Sequence, residues 1–417
     1  MRGDFWKFWT GQTISNLGSS FTQWAVPLLV FRLTHSAVNL GVATAATFLP
    51  YLLFGLLIGA WMDRVDRRRA MIALDSLNTL VILSIPLAAA SGHLTVWLIY
   101  AVTFVQSTVA IAFNAGEFAA IPSLVSTDDL VAANGRIQAS YSAVQVAGPL
   151  LAGLLISFLP LVWVMGFDAG SFAVSALSLS LISTSFNPPS DVKKAATTIM
   201  HDVREGLRYV VSHPVLRNIS LMMAMINFVM ATTYTQLVLF AHDRLHASVR
   251  EIGVLFAAGS AGVVVTGLLA GWLRKRFSFT TVAMTSLMVT GALTLGFSQL
   301  RLFWVALPLW AIRSGLAILF NVNTGSLRQA IVPNALLSRV MSIAGVLAWS
   351  AIPAGALIGG WIIESTGDVS GVYAGIGALT ICIAAYFRFF SPLGDAQRYV
   401  DERRAEEERI AAEGLPA

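Results

Sequence analysis

The feature that most constrains this chain is a succession of long apolar runs. They fall at residues 8–31, 37–62, 70–91, 95–116, 138–159 and 163–185, and again at 216–241, 250–273, 279–298, 302–322, 340–362 and 370–390. Each is about as long as the roughly 20 residues an α-helix needs to cross a bilayer. None alternates in the manner of a barrel strand. The pattern predicts an all-α integral membrane protein with twelve transmembrane helices. Composition agrees, with 56% apolar residues, only 12% charged residues and a mean hydropathy of +0.72. A soluble domain carries about twice that share of charge, so a soluble multidomain enzyme is excluded. The first run carries Gln12, Asn16 and Gln23 and lacks a small-residue cleavage site, so it reads as a span and not as a signal peptide.

Basic residues set the orientation. With both termini cytoplasmic, 22 of the 27 lysines and arginines fall on the inner side; only Arg32, Arg244, Arg250 and Arg301 fall outside, and Arg313 lies within a span. That bias is a positive-inside pattern of an inner (plasma) membrane protein. It accounts for the net charge of +5 without a nucleic-acid partner. The longest internal polar stretch, 186–215, divides the chain into bundles at 1–185 and 216–390, with a charged cytoplasmic tail at 391–417. Within the linker, Val203, Leu207, Val210 and Val211 share one helical face beside Arg204 and Arg208. Such a face suits a helix lying on the inner membrane surface. The tail from Asp395 reads as a solvated charged helix or as disordered.

The halves echo each other. Trp61-Met62-Asp63-Arg64 has a counterpart in Trp272-Leu273-Arg274-Lys275, Phe113-Asn114 in Phe320-Asn321, and Val125 with Leu130 in Val332 with Leu337. A recurrence near half the chain length indicates an internal duplication. The sharpest motif is Gly59-Ala-Trp-Met-Asp63-Arg64-Val-Asp66-Arg67-Arg68-Arg69, between spans two and three. Glycine permits close helix approach, and a carboxylate at the membrane edge suits the positive start of a neighbouring helix. Asp63 is therefore expected to meet Arg339, or the first turn of span eleven, when the cytoplasmic side is shut.

This loop resembles the signature between spans two and three of the major facilitator superfamily, with Asp66 where the family pattern has glycine. The Asp-Arg-x-Asp-Arg-Arg version is similar to the branch of macrolide-efflux proteins and the enterobactin exporter. Three further stretches resemble that branch: Ile121-Pro122 through Asn134, Asp202 through Arg217, and Ser338-Arg339-Val-Met-Ser342. Two positions depart from it: no basic residue accompanies Glu117, and Asn78 stands where an arginine is common. The resemblance implies two pseudo-symmetric six-helix bundles with spans one, four, seven and ten along a central path. Gly148-Pro149-x3-Gly153 in span five is a partial match to the bend motif of proton-driven exporters; ordinary helix packing explains it equally well.

The candidate path residues are Gln12, Asn16 and Gln23 in span one, Gln106 and Asn114 in span four, Asn227 and Tyr234 in span seven, and Trp310, Arg313 and Asn321 in span ten. Lipid cannot satisfy such groups, so they should face protein or water. Arg313, near mid-span, needs an anionic substrate group, a carboxylate such as Glu117, or backbone carbonyls. Three acids are candidates for proton coupling: Glu117, Asp168 and Asp75. Spans three and six are peripheral in the family, which leaves Asp75 and Asp168 open to a purely structural role. Lone Cys382 reads as a small buried side chain. No phosphate-binding loop, metal cluster or catalytic constellation emerges, so no enzyme and no cofactor are expected.

The expected function is secondary export of a small amphipathic, drug- or siderophore-like molecule by alternating access, in exchange for protons. The expected partners are that substrate, protons and the lipid bilayer, and the protein is expected to work as a monomer. The alternatives are an importer or uniporter of a metabolite, and a non-transporting membrane sensor or scaffold.

Overall fold

A computed structural model describes residues 3–62, 64–126, 129–155, 159–187, 199–402 and 409. Among these residues the regular structure is helical throughout. The first half contains α1 (Gly3–Thr34), α2 (Ala37–Met62), α3 (Arg67–Ala90), α4 (Val96–Leu124), α5 (Leu130–Leu155) and α6 (Leu161–Ser180). Then come α7 (Ile199–Ser212), α8 (Pro214–Thr235), α9 (Leu237–Leu245), α10 (Val249–Arg276), α11 (Phe279–Ser298), α12 (Phe303–Ile331), α13 (Asn334–Trp349), α14 (Ala351–Thr366) and α15 (Val369–Phe389).

Among the described residues, ten segments are long and apolar enough to cross a membrane. The two spans missing from that set are α1 and α5, whose polar residues dilute their hydropathy. At about 1.5 Å per residue both exceed the roughly 30 Å hydrocarbon core. Together they make the expected twelve, because α8 with α9, and α13 with α14, each form one interrupted span. The second interruption has a local cause: Pro353 has no N–H to offer the carbonyl of Trp349, and the helix breaks at Ser350. The first falls at Gln236, which leaves helical geometry between α8 and α9.

The duplication is visible in the helices. Both α4 and α12 are 29 residues long, start 207 residues apart (96 to 303), and end on an extended valine, Val125 and Val332.

The chain forms two compact units. The first comprises residues 1–196, 235–257 and 356–365; the second comprises 197–234, 258–355 and 366–417. In the first unit α1 packs on α6 and α5, α2 on α4, and α3 on α6. Gly11 and Gly18 of α1 bring that helix so close to α6 that a Cβ on either would strike Ser178 or Ser171. In the second unit α11 packs on α12 and α15, and α7 on α13.

Three expectations need correction. The tail is not solvated from Asp395 onward: a 3-10 turn over Pro392–Asp395 leads into a helix whose Ala396 and Val400 are fully buried, while Tyr399 lies against His213. Apolar side chains at a helical repeat among the charges give that stretch a face to bury. On α7, Val210 is buried against the second unit's core, while Leu207 and Val211 stay exposed. Cys382 is exposed, not buried.

Candidate functional site

Within its spans the first unit holds three buried carboxylates. Asp168 of α6 is inaccessible, Asp75 of α3 is 1% exposed and Glu117 of α4 is 6% exposed. Among the described residues none of them makes an ion pair. Their partners are hydroxyls and amides. Asp168 accepts from Ser19 of α1 at 3.3 Å, from Ser171 at 3.3 Å and from Gln106 of α4 at 3.4 Å. Glu117 accepts from the Tyr141 hydroxyl of α5 at 2.8 Å, beside Asn16. Ser175 lies between Gln12, which donates to it at 2.9 Å, and Asp75. Asp75 is in turn within electrostatic reach of both other acids. The satisfaction is incomplete: Asp75 Oδ2, Asn78 Oδ1 and Glu117 Oε1 are buried without a hydrogen-bond partner. An unpaired buried polar oxygen costs about 1–3 kcal/mol.

On α1, Gln12 donates to Ser175 and Ser19 to Asp168 on α6, Asn16 lies beside Tyr141 of α5, and Gln23 is exposed. The close approach permitted by Gly11 and Gly18 allows the contacts with α6. Asn114, Tyr234 and Asn321 are also exposed, Tyr234 to 62%. Asn227 donates to the carbonyl of Ala348 at 2.9 Å and so ties α8 to α13. Gly148 abuts Ser20, where a Cβ has no room, and Pro149 beside it is half-buried, so this part of the bend motif packs α5 on α1.

Arg313 and Trp310 are packed into the second unit. The guanidinium lies over the Trp310 ring at 4.5 Å, and its Nε donates to Thr294 of α11 at 3.0 Å. Trp310 leans on Phe297, which stacks on Tyr373 of α15; the Tyr373 hydroxyl donates to the Thr233 carbonyl at 2.6 Å. Arg313 thus meets an aromatic face and a hydroxyl in its own unit, where the sequence suggested an anionic substrate group, a carboxylate such as Glu117 or backbone carbonyls.

The motif after span two is stitched to the end of span six. Asp66 caps α3 by accepting from the Arg69 N–H at 2.9 Å. Arg67 donates to the Phe186 carbonyl at 3.1 Å, and Arg68 to the carbonyls of Leu179 and Ser180 at the end of α6. Cations suit the negative end of a helix. Arg64 is exposed. Asp63 lies outside the described residues, and so do the surroundings of Gly59, Gly153 and Arg339. The expected contact of Asp63 with Arg339 falls there.

Sequence reasoning missed Tyr141, Ser171 and Ser175. A signal existed: Asp168, Ser171 and Ser175 follow a helical repeat on α6, as Gln138, Tyr141 and Gln145 do on α5.

Comparison with known proteins places this architecture. The family described as transmembrane secretion effector, of the major facilitator type, matches residues 2–414. The chain is 25% identical to macrolide efflux protein A of Streptococcus pyogenes over 386 residues, covering 91% of the chain and 94% of the relative. It is 26% identical to the multidrug efflux pump Tap of Mycolicibacterium fortuitum over 377 residues, covering 84% and 87%. Its fold is similar to that of the nucleoside transporter NupG, with a TM-score of 0.75 at 14% identity over 93% of the chain and 98% of NupG. It is also similar to a bacterial homologue of the human lysosomal transporter Spinster, with a TM-score of 0.69 at 16% identity over 96% and 97%. The chain belongs to the transmembrane secretion effector family and is a multi-pass membrane transporter of the major facilitator type, not an enzyme.

Proposed function

We propose that this transporter exports a small amphipathic organic molecule, drug- or siderophore-like, in exchange for protons. It sits in the plasma membrane with both termini cytoplasmic and works as a monomer by alternating access of its two six-helix halves. The names of its macrolide- and multidrug-efflux relatives support export. The inward bias of basic residues supports the orientation. One observation carries the coupling: Asp168 is fully buried without a cation, and takes hydrogen bonds from α1 and α4. Those are the spans that line the path in the family it resembles. A carboxyl group in that position transmits its protonation state to the path through Ser19 and Gln106. Glu117, with Tyr141 and Asn16, provides a second proton station on the same helices' cytoplasmic side, and Asp75 lies within electrostatic reach of both. The exposed path residues Gln23, Asn114, Tyr234 and Asn321 meet water or cargo. In the same cycle Asp63 closes the cytoplasmic side against Arg339 or the first turn of α13.

The test is accumulation of a compound panel in a bacterial host stripped of its own efflux pumps, with and without a protonophore. Lower accumulation that the protonophore abolishes is the expected result. Export that persists without a proton gradient overturns the coupling. No change for any compound, with the protein folded in the membrane, overturns drug-like export. For the gate, Asp63→Asn should lose flux while leaving the protein folded; unchanged flux would remove the gate role.

A further inference from the structure

By sequence, residues 235–257 and 356–365 belong to the second six-helix half, yet they pack in the first unit with the start of α2. The contacts are specific. The carboxylate of Glu364, near the end of α14, accepts from the Ser36 hydroxyl and from the Val38 N–H, the latter at 3.0 Å. Ser36 itself caps α2, accepting from the Asn39 N–H at 3.2 Å. The start of α2 therefore has two acceptors: its own serine, and a carboxylate from the far end of the chain. Beside it, fully buried Gln236, at the break between α8 and α9, donates Nε2 to the Ala37 carbonyl at 2.7 Å. Two turns further along α2, the hydroxyls of Thr44 and Thr235 meet at 3.0 Å. Gly41 and Gly360 leave no room for a Cβ against the carbonyls of Ala356 and Ala37.

The chemistry favours a contact that opens over a permanent weld. A carboxylate on a helix start gains charge-assisted hydrogen bonds and a favourable dipole. Glu364 is nevertheless exposed, so water can replace its partners. Gln236 is satisfied on one side only: its Oε1 is buried without a partner, a cost relieved when the seam parts and water enters.

We propose that Glu364 and Gln236 form an outer latch. It holds the start of α2 against the outer ends of α9 and α14, and its release is the step that opens the transport path to the outside. The proposal rests on the alternating-access reading and on cytoplasmic termini. It complements the cytoplasmic gate: there an acid after span two meets the start of span eleven, and here an acid at the end of span eleven meets the start of span two.

The test needs no known cargo. A reporter, Thr47→Cys, sits one turn deeper than Thr44 on the same face of α2, half-buried and bonded only within its own helix. It is placed in a Cys382→Ser background, and its labelling by a membrane-impermeant maleimide is timed in intact cells. Glu364→Ala should raise the rate about threefold to tenfold, as expected for losing a partly exposed charged acceptor. Gln236→Met should raise it as well. Ser36→Asp still caps α2 with its own side chain, but confronts Glu364 with a second negative charge, and should also speed labelling. Unchanged labelling in all three, in protein that melts normally, overturns the latch. So does Ser36→Asp matching wild type while Glu364→Ala is fast, since Glu364 would then only cap a helix. Labelling confined to inside-out vesicles overturns the outer placement and the orientation it rests on. A compound panel that shows no export would bear on the cargo alone and leave these rates as they are.

Discussion

Within their spans the two units bury charge of opposite sign. The first buries three acids and gives them hydroxyls and amides but, among the described residues, no cation, and leaves two of their oxygens unpartnered. The second buries two arginines: Arg313, with an aromatic face and a threonine hydroxyl, and Arg328, whose Nε and one terminal nitrogen have no hydrogen-bond partner. A buried carboxyl group can surrender its charge by taking up a proton, whereas a guanidinium cannot. Incomplete pairing is therefore useful only on the acidic side. The contrast supports the proposal that the first unit handles protons, and it leaves Arg313 packed within the second.

Substitution at Asp168 should break this comparison most sharply. Asp168→Asn keeps the shape and can still accept from Ser19 and Ser171, but it turns the oxygen that faces Gln106 into a donor and abolishes the exchangeable proton. Proton-driven export should fall roughly tenfold or more, the loss of an obligatory proton carrier, while the protein still reaches the membrane. Equal loss in Glu117→Gln and Asp75→Asn would spread the coupling over all three acids. Retention of full, protonophore-sensitive export in Asp168→Asn would remove it from the centre. Arg313→Gln is the counterpart. It should cost about 1–2 kcal/mol of stability, from the lost cation–π and hydrogen-bond contacts, seen as a lower melting temperature. Export per folded molecule should stay within about twofold. A collapse of export without a stability change would return Arg313 to the transport path.

Gly18→Ala sharpens the same contrast through packing. The added Cβ would meet Ser171 Oγ and the Asp168 Cα closer than any real contact. Overpacking of this kind costs about 1–3 kcal/mol. It should also disturb the Ser19–Asp168 bond, so stability and coupling should fall together. The equivalent change at Gly325, where a Cβ meets nothing within 4 Å, should do neither. Melting temperature and export, measured on both variants, separate the two outcomes.

Most of the architecture was legible because long apolar runs and the inward bias of basic residues are dictated by the bilayer itself. The two spans that do not stand out by hydropathy, α1 and α5, supply Ser19, Asn16 and Tyr141 to the acids and their partners, so the same polar residues that blur a span mark the site. What the sequence could not give was direction. Arg313 announced that it needed a partner, but an aromatic ring one turn away on its own helix satisfies it, and ring faces leave no charge signature in a sequence. Glu364 gave no signal either, because its partners are a backbone N–H and a serine more than 300 residues away. The packed turns after Asp395 were hidden by neighbouring charge, since Ala396 and Val400 are too few to read as a core face without seeing what they meet.

The smallest expected effect lies at the cytoplasmic start of α1. Asp4 accepts from Lys7 at 2.8 Å and from the hydroxyls and N–H groups of Ser183 and Thr184, which fastens α1 to the chain leaving α6. The Lys7 ammonium first, and then the Thr184 hydroxyl, hold this carboxyl well below the usual carboxylate range. A lowered value in the folded state means that the ionised group stabilises the fold. That contribution is complete above the ordinary carboxylate value of about 4 and is lost as the pH falls below it. Melting temperature in detergent should therefore drop more steeply with acid for wild type than for Asp4→Asn, and the two curves should converge below that value. Parallel curves from neutral pH downward would show that Asp4 fastens nothing, and that α1 is held against α6 by its glycines and by its other bonds, those of Lys7, Gln12 and Ser19 among them.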